Sequence, residues 1–395
     1  MENADVVIVG GGLEGLSIAW ALAERGVRDI TVLERDTLCS GGTAKSSSIV
    51  RCHYGVASLA AMSWYGVEVF ANAQELLGTD IGFRQVGYAV GVGAENLAAL
   101  RANVAMQRSL GIEVDELTPA EMSVHWPTMF VDDFSAFAYE PQGGRGDAYM
   151  IGMAYAALAR DRGVRIRQNT PVAALVTGDD GRVIGVDTAA GERISAGTVI
   201  LANGAWSVPL AAALGIDLPV RAQRAQILMV ESGERLGDAP VISDLVSLQY
   251  FRTETSGELL VGNSDHTNPE FVDPDRYRNR ADDSFTEKAA EKLAHRFPTW
   301  SDPGVVTSYA GCYDVTPDYN PMIGPAELPG LFIAVGFSGH GFKLAPAVGR
   351  LTADLLIDGK SSDPVIDPAD FRSTRFAEGW ALLSQNPYIG AGQMR

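Results

Sequence analysis

The chain has 395 residues, 46% of them hydrophobic and 20% charged, which excludes a disordered protein and allows a sizeable core. Its formal net charge of −18 argues against nucleic acid or an anionic membrane surface as a partner. Three cysteines, Cys39, Cys52 and Cys312, fit neither a disulfide framework nor a metal site, so we expect a reducing compartment and no metal. No apolar run approaches the ~18 residues of a membrane span and no leader peptide is recognisable, so we predict a cytoplasmic protein.

The chain begins with a pattern of strand, glycine turn, helix and strand. Residues Asp5–Val9 are an apolar run, and Gly10–Gly12 allow a tight turn. Residues Leu13–Arg25 are rich in alanine and leucine, and Ile30–Glu34 form a second apolar run. A βαβ unit of this kind is typical of a parallel, doubly wound sheet.

Later segments are predicted to continue that sheet. Asp147 is a candidate N-cap for a helix that ends near Arg160 and leads into a strand. Residues 198–202 form a further apolar strand, and the strand at 332–335 precedes a helix over 344–357.

The first turn also carries a nucleotide-binding pattern. Gly10, Gly12 and Gly15 fit G-x-G-x-x-G at the junction of the first strand and the first helix. Without a Cβ, these positions let a dinucleotide pyrophosphate approach the amides at the helix N-terminus. Glu34 ends the second strand, where an acid accepts hydrogen bonds from ribose hydroxyls. Because strand, helix and acid are in register, the pattern indicates dinucleotide binding rather than a glycine-rich turn without function.

Two further segments favour FAD over NAD as the dinucleotide. Residues Ser40–Arg51 form a long loop of small and hydroxyl-bearing residues. Such a loop suits an extended flavin, whereas in a nicotinamide-binding domain the strand continues directly into a helix. Residues Gly336–Lys343 follow an apolar strand and enter a helix, so they present a helix N-terminus and a lysine. That combination stabilises the negative charge of a reduced flavin.

Several motifs resemble the D-amino acid oxidase and sarcosine oxidase superfamily of FAD-dependent oxidoreductases, over nearly the whole chain. Besides the glycine turn with Glu34, they are Ile49–Arg51 with Tyr54–Gly55, Val199–Trp206, Tyr313–Asp318, Gly336–Lys343 and Asp370–Phe376. The sequence looks like sarcosine oxidase beta subunits and dimethylglycine dehydrogenase-like proteins. The resemblance implies bound FAD and oxidation of an amine.

Patterns and resemblance together predict an α/β protein. A doubly wound parallel-sheet FAD-binding domain would carry an inserted α+β substrate domain on a mixed, mostly antiparallel sheet. The FAD-binding domain is expected at 1–82, 141–218 and 311–376, and the substrate domain at 83–140 and 219–310. Residues 377–395 extend beyond the usual family end.

The resemblance implies that Arg51 and Lys343 hold the substrate carboxylate beneath the flavin. A guanidinium and an ammonium in a dry site suit that task. The alternatives are a phosphate contact or a surface salt bridge for Arg51, and a flavin-only role for Lys343. Tyr250 is either part of an aromatic wall facing the substrate or an ordinary strand residue. His340 either lines the cofactor edge or makes a structural hydrogen bond, and we predict all four as catalytic residues.

The predicted cofactor contacts come mostly from the glycine turn, the hydroxyl-rich loop and the second glycine-rich segment. They are Gly10, Gly12, Leu13, Glu14, Gly15, Glu34, Arg35, Gly42, Thr43, Lys45, Ser46, Ser47, Ser48, Val172, Asn203, Gly204, Trp206, Gly339, His340, Gly341, Phe342 and Lys343.

Departures from the family pattern change the expected chemistry. Gly311 stands where related oxidases attach FAD through a cysteine, and Cys312 is one residue late and so points to the other face of its strand. We therefore predict non-covalent FAD and a buried, apolar Cys312. Leu260 stands where those oxidases carry an oxygen-activating lysine, so reaction with oxygen is expected to be slow. His53, near the region where some relatives attach flavin, is out of register for that role.

We predict FAD-dependent oxidation of the C–N bond of an amino acid, or of a secondary or N-methylated amino acid, by hydride transfer to flavin N5 and hydrolysis of the imine. One alternative is a 2-hydroxy acid dehydrogenase, which needs a base near Arg51, with His53 as the candidate. Another is a flavin-binding subunit of a hetero-oligomeric amine oxidase or dehydrogenase. The expected partners are a small amine and, as electron acceptor, oxygen or a redox partner, in a homo- or hetero-oligomer.

Overall fold

The computed structural model describes residues 2–233 and 236–390. Its strands are β1 Glu2–Val9, β2 Ile30–Leu33, β3 Ile49–Val50, β4 Tyr88–Val92, β5 Asp115–Leu117, β6 Ala136–Glu140, β7 Gly144–Arg145, β8 Arg165–Arg167, β9 Val172–Thr177, β10 Val183–Thr188, β11 Arg193–Leu201, β12 Arg221–Glu231, β13 Val241–Asp244, β14 Gln249–Thr253, β15 Leu259–Asn263, β16 Gly304–Val315, β17 Met322–Pro325 and β18 Leu331–Val335. Its α-helices are α1 Leu13–Glu24, α2 Ala57–Ala71, α3 Ala73–Leu76, α4 Leu97–Ser109, α5 Pro119–His125, α6 Ala148–Asp161, α7 Ser207–Ala212, α8 Asp283–Arg296 and α9 Gly341–Ile357.

The first sheet is built mainly of parallel strands in the order β17-β18-β11-β1-β2-β8, with β9 and β10 attached beside β11. The central strand β1 pairs in parallel with both β11 and β2. Ile8 belongs to the core on the side of α1 and α9, and Val7 to the core on the opposite face. Because both faces are covered, the strand is apolar throughout its second half. The predicted parallel sheet is confirmed.

The second sheet has the order β16-β12-β15-β14-β13-β4-β6-β5. Its neighbours pair antiparallel, except that β13 and β4 run parallel. One face packs with Phe251 and Val261 against α8, and the opposite face carries Tyr250 and Leu260 in contact with Ile49. The predicted mixed, mostly antiparallel sheet is confirmed.

Close helix packing brings the glycine turn and the last helix together. The Ser17 hydroxyl of α1 donates to the Ala345 carbonyl of α9 at 2.7 Å. A Cβ at Gly66 of α2 would lie only 2.0 Å from the Lys343 carbonyl oxygen. Helix α9 begins at Gly341, three residues before the sequence predicts, because Gly339 has a φ of +82° and turns the chain early. Lys343 therefore lies in the first turn of α9.

Two helices begin with a side-chain cap, and the cap at Asp147 confirms a predicted helix start. Thr118 and Glu121 form a reciprocal capping box at the start of α5. The Asp147 side chain accepts a hydrogen bond from the Met150 amide at the start of α6.

We propose that the chain divides into two domains at the boundaries that the sequence predicts. One of these boundaries, between residues 310 and 311, falls inside the continuous strand β16. Among the described residues, no helix is long and apolar enough to cross a membrane.

Candidate active site

Three glycines shape the turn between β1 and α1. Gly10 has a φ of +112°, and a Cβ there would lie 2.6 Å from the Ala202 carbonyl oxygen. A Cβ at Gly15 would lie 2.1 Å from the Gly10 carbonyl oxygen, so only glycine lets α1 pack this closely on β1. At Gly12, the nearest atom to a Cβ would be the Thr43 hydroxyl oxygen at 3.4 Å. The backbone of the turn is therefore accessible to a ligand in the space beside it.

A cavity of about 540 Å³ lies beside this turn. The predicted cofactor residues that line it are Gly10, Gly12, Leu13, Glu14, Glu34, Arg35, Gly42, Thr43, Lys45, Ser46, Ser47, Val172, Asn203, Gly204, Trp206, Gly339, Gly341 and Phe342. The N-termini of α1 and α9 both open onto the cavity, which favours a ligand that carries negative charge at both places.

Four other predicted cofactor residues lie outside this lining. Gly15 lies beneath the turn, against the backbone of β1. Ser48 is buried, and its hydroxyl accepts a hydrogen bond from the first amide of α6 at 3.3 Å. His340 and Lys343 both face Tyr54 instead. Ser48 thus holds the loop, while the other two side chains belong to a neighbouring cluster.

Glu34 is fixed at the end of β2. One carboxylate oxygen accepts from the Gly11 amide at 2.8 Å, and the other from a backbone amide two residues on at 2.9 Å. Beside it, the Arg35 guanidinium lies 4.6 Å from the centre of the Trp206 ring and pairs with Asp275 at 2.8 Å. An acid and an aromatic ring at the same end of the cavity suit the ribose and the base of a nucleotide.

Two carboxyl groups in the lining have raised pKa values. Burial raises the pKa of Asp314 to about 6, although backbone amides such as that of Gly336 oppose the rise. Burial and the nearby Asp314 raise the pKa of Glu14 well above its ordinary value. Asp314 accepts from the Gly336 amide at 2.7 Å and so holds the turn that leads to α9. A protonated carboxyl carries no charge, which lessens the repulsion of an anionic cofactor.

Arg51 and Lys343 meet at one buried tyrosine. The Arg51 guanidinium carbon lies 4.3 Å from the centre of the Tyr54 ring, and Lys343 Nζ lies 5.7 Å from it. Each of the two cations is only 4% exposed. His340 Nδ1 lies 3.1 Å from the Tyr54 hydroxyl and 3.3 Å from an Arg51 nitrogen. The structure therefore brings three of the four predicted catalytic residues together.

Glu140 joins this cluster, and sequence reasoning missed it. Its carboxylate accepts from the Cys52 amide at 2.7 Å and from the Gln107 side chain at 3.1 Å. Burial raises its pKa to about 7, and the Cys52 amide and the Arg51 charge oppose the rise. Glu140 ends β6, far from Arg51 along the chain, so no local pattern marks it. Only the path of the second sheet places it here.

Residues 377–390 of the C-terminal extension pack against the segment that carries Arg51. The Tyr388 hydroxyl lies 2.6 Å from His53 Nε2, and the two rings are stacked with centres 5.9 Å apart. The backbone of Ile389 exchanges two hydrogen bonds with the Asn96 side chain, at 2.7 and 3.1 Å. His53 thus faces the extension and is not part of the cofactor cavity lining. The extension fixes the segment that carries Arg51.

Tyr250 stands apart from these groups, on the second sheet. It forms an apolar cluster with Ile227 and Leu260 that contacts Ile49 of the hydroxyl-rich loop. The ring lies across Gly262, where a Cβ would be 2.1 Å from it. Its role as a wall facing the substrate stays a prediction.

The sequence pattern that defines the FAD dependent oxidoreductase family matches residues 5–355. The chain belongs to this family. This oxidoreductase is 30% identical to FAD-dependent oxidoreductase domain-containing protein 1 of Xenopus laevis, over 98% of this chain and 85% of the relative. It is 28% identical to sarcosine oxidase subunit beta of an Arthrobacter species, over 91% of this chain and 88% of the relative. The crystal structure of L-proline dehydrogenase from P. horikoshii has a TM-score of 0.88 and 27% identity, and covers 96% of this chain and 99% of its own.

These comparisons confirm the predicted family and FAD as the cofactor of this oxidoreductase. The residues of the cavity fit that group. Gly10 and Gly12 leave room for a pyrophosphate beside the start of α1, and Glu34 stands at the end of β2 for the ribose. The start of α9 offers a second helix N-terminus for the flavin.

One prediction about Cys312 is wrong. Rather than being buried and apolar, it is half-buried in the edge strand β16. The physical reason is its place in the sheet. Cys312 pairs with Arg224 of β12, whose guanidinium binds Glu270 and Asp282, so its surroundings are polar rather than an apolar core.

We expect this oxidoreductase to bind FAD without a covalent link. A Cβ at Gly311 would lie 2.5 Å from Lys45 Cβ, so no cysteine fits there, and burial raises the pKa of Cys312 to about 11, which disfavours a reactive thiolate. Acid precipitation is expected to leave the yellow colour in the supernatant. Mass spectrometry of the precipitate should give the mass of the chain alone, and a mass raised by one FAD would contradict the prediction.

Proposed function

We propose that this oxidoreductase oxidises the C–N bond of an amino acid, or of a secondary or N-methylated amino acid, to an imine that water then hydrolyses. One observation carries the proposal: two buried cations, Arg51 and Lys343, converge on the Tyr54 ring beside the cofactor cavity. In a site without water, a guanidinium and an ammonium bind a carboxylate strongly. An α-carboxylate next to an amine is an anion of the size and charge that such a pair of cations binds.

The names of the relatives support an amine as the substrate. One matched protein is a sarcosine oxidase subunit, and one matched structure is an L-proline dehydrogenase. Sarcosine and proline are both secondary amino acids with an α-carboxylate. A site that holds the carboxylate and leaves the nitrogen and its neighbouring carbon at the flavin would accept either molecule.

The residues of the chain are assigned to binding and orientation. FAD, when bound, supplies the acceptor for the hydride. Arg51 and Lys343 hold the carboxylate, and the apolar cluster with Tyr250 and Leu260 limits the access of water. If the amine binds in its neutral form, no protein base is required.

The position of His53 weighs against a 2-hydroxy acid as the substrate. Oxidation of a hydroxyl requires a base for its proton, and His53 was the candidate. Its Nε2 lies 2.6 Å from the Tyr388 hydroxyl and its Nδ1 3.9 Å from Glu140, so the ring is held by the C-terminal segment. The buried cation pair also weighs against a subunit that only binds flavin, because such a subunit would have no use for it.

The direct test is anaerobic reduction of the bound flavin. Holoenzyme would be mixed with sarcosine, L-proline, glycine and L-lactate, and the visible flavin absorbance would be followed over time. The proposal expects bleaching by at least one of the amines and none by lactate. Bleaching by lactate alone, or by none of a wide panel of carboxylate-bearing amines, would refute it.

Reoxidation of the reduced enzyme by oxygen is expected to be slow. Leu260 is 1% exposed in an apolar cluster, so this position lacks the cation that stabilises negative charge as oxygen is reduced. Stopped-flow mixing of reduced enzyme with air-saturated buffer or an artificial acceptor measures the difference. We expect Leu260→Lys to speed the oxygen reaction about tenfold or more, with Leu260→Met as the matched control. Fast oxygen reduction by the wild type would contradict this and point to Lys45 or Lys343.

Binding of a carboxylate is expected to weaken as pH rises through about 7. The pKa of Glu140 is raised to about 7 by burial, so the group is neutral below that pH and charged above it. Once charged, Glu140 offsets the positive charge of Arg51. The Kd of propionate, which has no amine to titrate, should rise about three- to tenfold between pH 6 and 8, an effect of roughly 0.7–1.4 kcal/mol.

Two controls separate this effect from others. The Kd of propionamide, which is uncharged, should not follow the same curve. In Glu140→Gln the propionate curve should be flat over this pH range. An unchanged pH dependence in that variant would show that another group titrates.

We further propose a reducing compartment such as the cytosol, because the three cysteines are unpaired in the structure. Since one relative is named as an oxidase subunit, we also propose assembly into an oligomer. Size-exclusion chromatography with light scattering on the purified holoenzyme tests for assembly with itself. A monomer there would leave a hetero-oligomer as the remaining form.

A further inference from the structure

The second sheet has an opening between β12 and β15. The pairing of these strands ends at Ile227 and Gly262. On the same side, the next pairing of β12 is an isolated antiparallel bridge between Gln223 and Phe271. Between these points, residues 264–269 form no strand, and several of them line the opening. Within the described part of the chain, β12 near residue 225 therefore has a strand partner on its β16 side but not on this side.

A cavity of about 380 Å³ fills this opening and reaches both faces of the sheet. Gln249 and Val261 line it, and so do their chain neighbours Tyr250 and Gly262. Adjacent residues in a strand point to opposite faces. Val261 belongs to the core beneath α8, whereas Tyr250 belongs to the cluster that contacts Ile49. The cavity thus passes through the sheet.

The inner end of this opening adjoins the cofactor cavity. Ala225 and Tyr313 line both cavities. The Tyr313 ring lies against Gly339 at the start of α9, where a Cβ would be 2.9 Å from it. Burial raises the pKa of the Tyr313 hydroxyl, and the Tyr250 side chain lies close enough to contribute to the rise. Two tyrosines therefore stand where the opening meets the flavin end of the cofactor cavity.

The outer end of the opening offers groups that suit an amino acid. The charged residues of its lining are Arg224, Lys288 and Lys292, against Asp265 and Glu270, so the cations exceed the anions by one. Lys288, on α8, is exposed to solvent. In a chain with a net charge of −18, such a mouth attracts a carboxylate from solution. Further in, Gln249 is 1% exposed, and its side-chain carbonyl oxygen has no hydrogen-bond partner among the described residues. An N–H group of a passing amine supplies that missing donor.

We propose that this opening is the entrance through which a carboxylate-bearing amine reaches the flavin, with Tyr250 and Tyr313 at its inner end. The identity of the molecule rests on the proposed function, whereas the route rests on the opening in the sheet. The charges at the mouth steer the carboxylate, and the Gln249 oxygen receives the amine.

A removable plug tests this entrance. Lys288→Cys and Ser284→Cys place a thiol at two positions of α8 that line the mouth. Each holoenzyme would be treated with a benzyl methanethiosulfonate, and flavin reduction by an amine would be measured before and after labelling. Labelling should lower the second-order rate constant about tenfold and leave the limiting rate at saturating amine unchanged. Dithiothreitol removes the label and should restore the rate.

Matched controls exclude other effects of the label. Lys360→Cys carries the same label on the exposed segment after α9, and labelled wild type reports any reaction at Cys312. Neither should change in rate. If labelling leaves the rate of flavin reduction by an amine unchanged in both mouth variants, the proposed entrance is wrong.

Reduction by dithionite separates failure of the entrance from failure of the proposed function. If no amine reduces the wild type, the proposed function fails. The rate of flavin reduction by dithionite, a small anionic reductant, then tests whether small molecules enter through the opening. Slower dithionite reduction after labelling at Lys288→Cys supports an entrance for small anions. An unchanged dithionite rate in that case overturns it.

Discussion

Lys343→Met is expected to lower kcat/KM for a carboxylate-bearing amine, by an amount that corresponds to about 2–5 kcal/mol of activation free energy. The FAD content should stay normal. Methionine keeps the length of the side chain and removes its charge. Lys343 is 4% exposed and lies near the Tyr54 ring together with Arg51, so little water is present to replace the lost charge. In a chain with a net charge of −18, an anionic substrate depends on this local positive charge.

Arg51→Met should show the same loss of activity together with a loss of stability. Removing the guanidinium leaves Glu140 buried without the cation that holds its pKa down. The Lys343 variant is therefore the cleaner test. Arg350→Met, two turns further along α9 and paired with Asp363, is the matched control and should keep full activity.

A substrate analogue without a carboxylate decides the role of Lys343. If the lysine binds the carboxylate, the variant and the wild type should oxidise the neutral analogue at similar rates. If the variant loses as much activity towards the neutral analogue as towards the acid, the lysine serves the flavin. That result would end the assignment of Arg51 and Lys343 as a carboxylate site.

Breaking the buried ion pair of Asp318 and Arg375 is expected to cost about 3–5 kcal/mol of unfolding free energy. Both side chains are fully buried, and two hydrogen bonds of 2.9 Å join them. Arg375 also donates to the Asn320 carbonyl, and Asp318 accepts from the Leu382 amide of the C-terminal extension. Arg375→Met leaves the carboxylate buried without its cation, and Asp318→Asn leaves the guanidinium without its anion.

Thermal and chemical unfolding of the holoenzyme measure this effect. The double variant Asp318→Asn with Arg375→Met should lose less unfolding free energy than the two single variants lose in sum, because no unpaired charge remains buried. Arg372→Met removes the partner of Glu378 at the surface and should change the stability little, because water screens an exposed pair. Single variants at Asp318 and Arg375 that unfold like the wild type would show that the pair does not hold the C-terminal segment.

The cofactor end of the molecule was predictable because its signals are local. The spacing of Gly10, Gly12 and Gly15 fixes how closely a helix can approach a strand, and no distant residue is needed to recognise it. Strand periodicity likewise predicted both sheets. The motif at Asp370–Phe376 was recognised, but its physical reason, the pairing of Arg375 with Asp318, appears only in the fold.

The substrate end depended on contacts between distant segments. Glu140 binds the Cys52 amide, next to Arg51, because β6 is a strand of the second sheet. Tyr388 reaches His53 because the end of the chain folds back over that segment. The opening beside β12 exists because a loop leaves the sheet and returns, which no composition or period reveals.

The sequence by itself determined the family, the cofactor and the two sheets, since backbone conformation and apolar periodicity are properties of short segments. Only the tertiary structure decided which charges are buried together, where the C-terminal extension lies and how a small molecule can enter. Burial and electrostatic pairing depend on every neighbour that excludes water from a group, and those neighbours come from all parts of the chain.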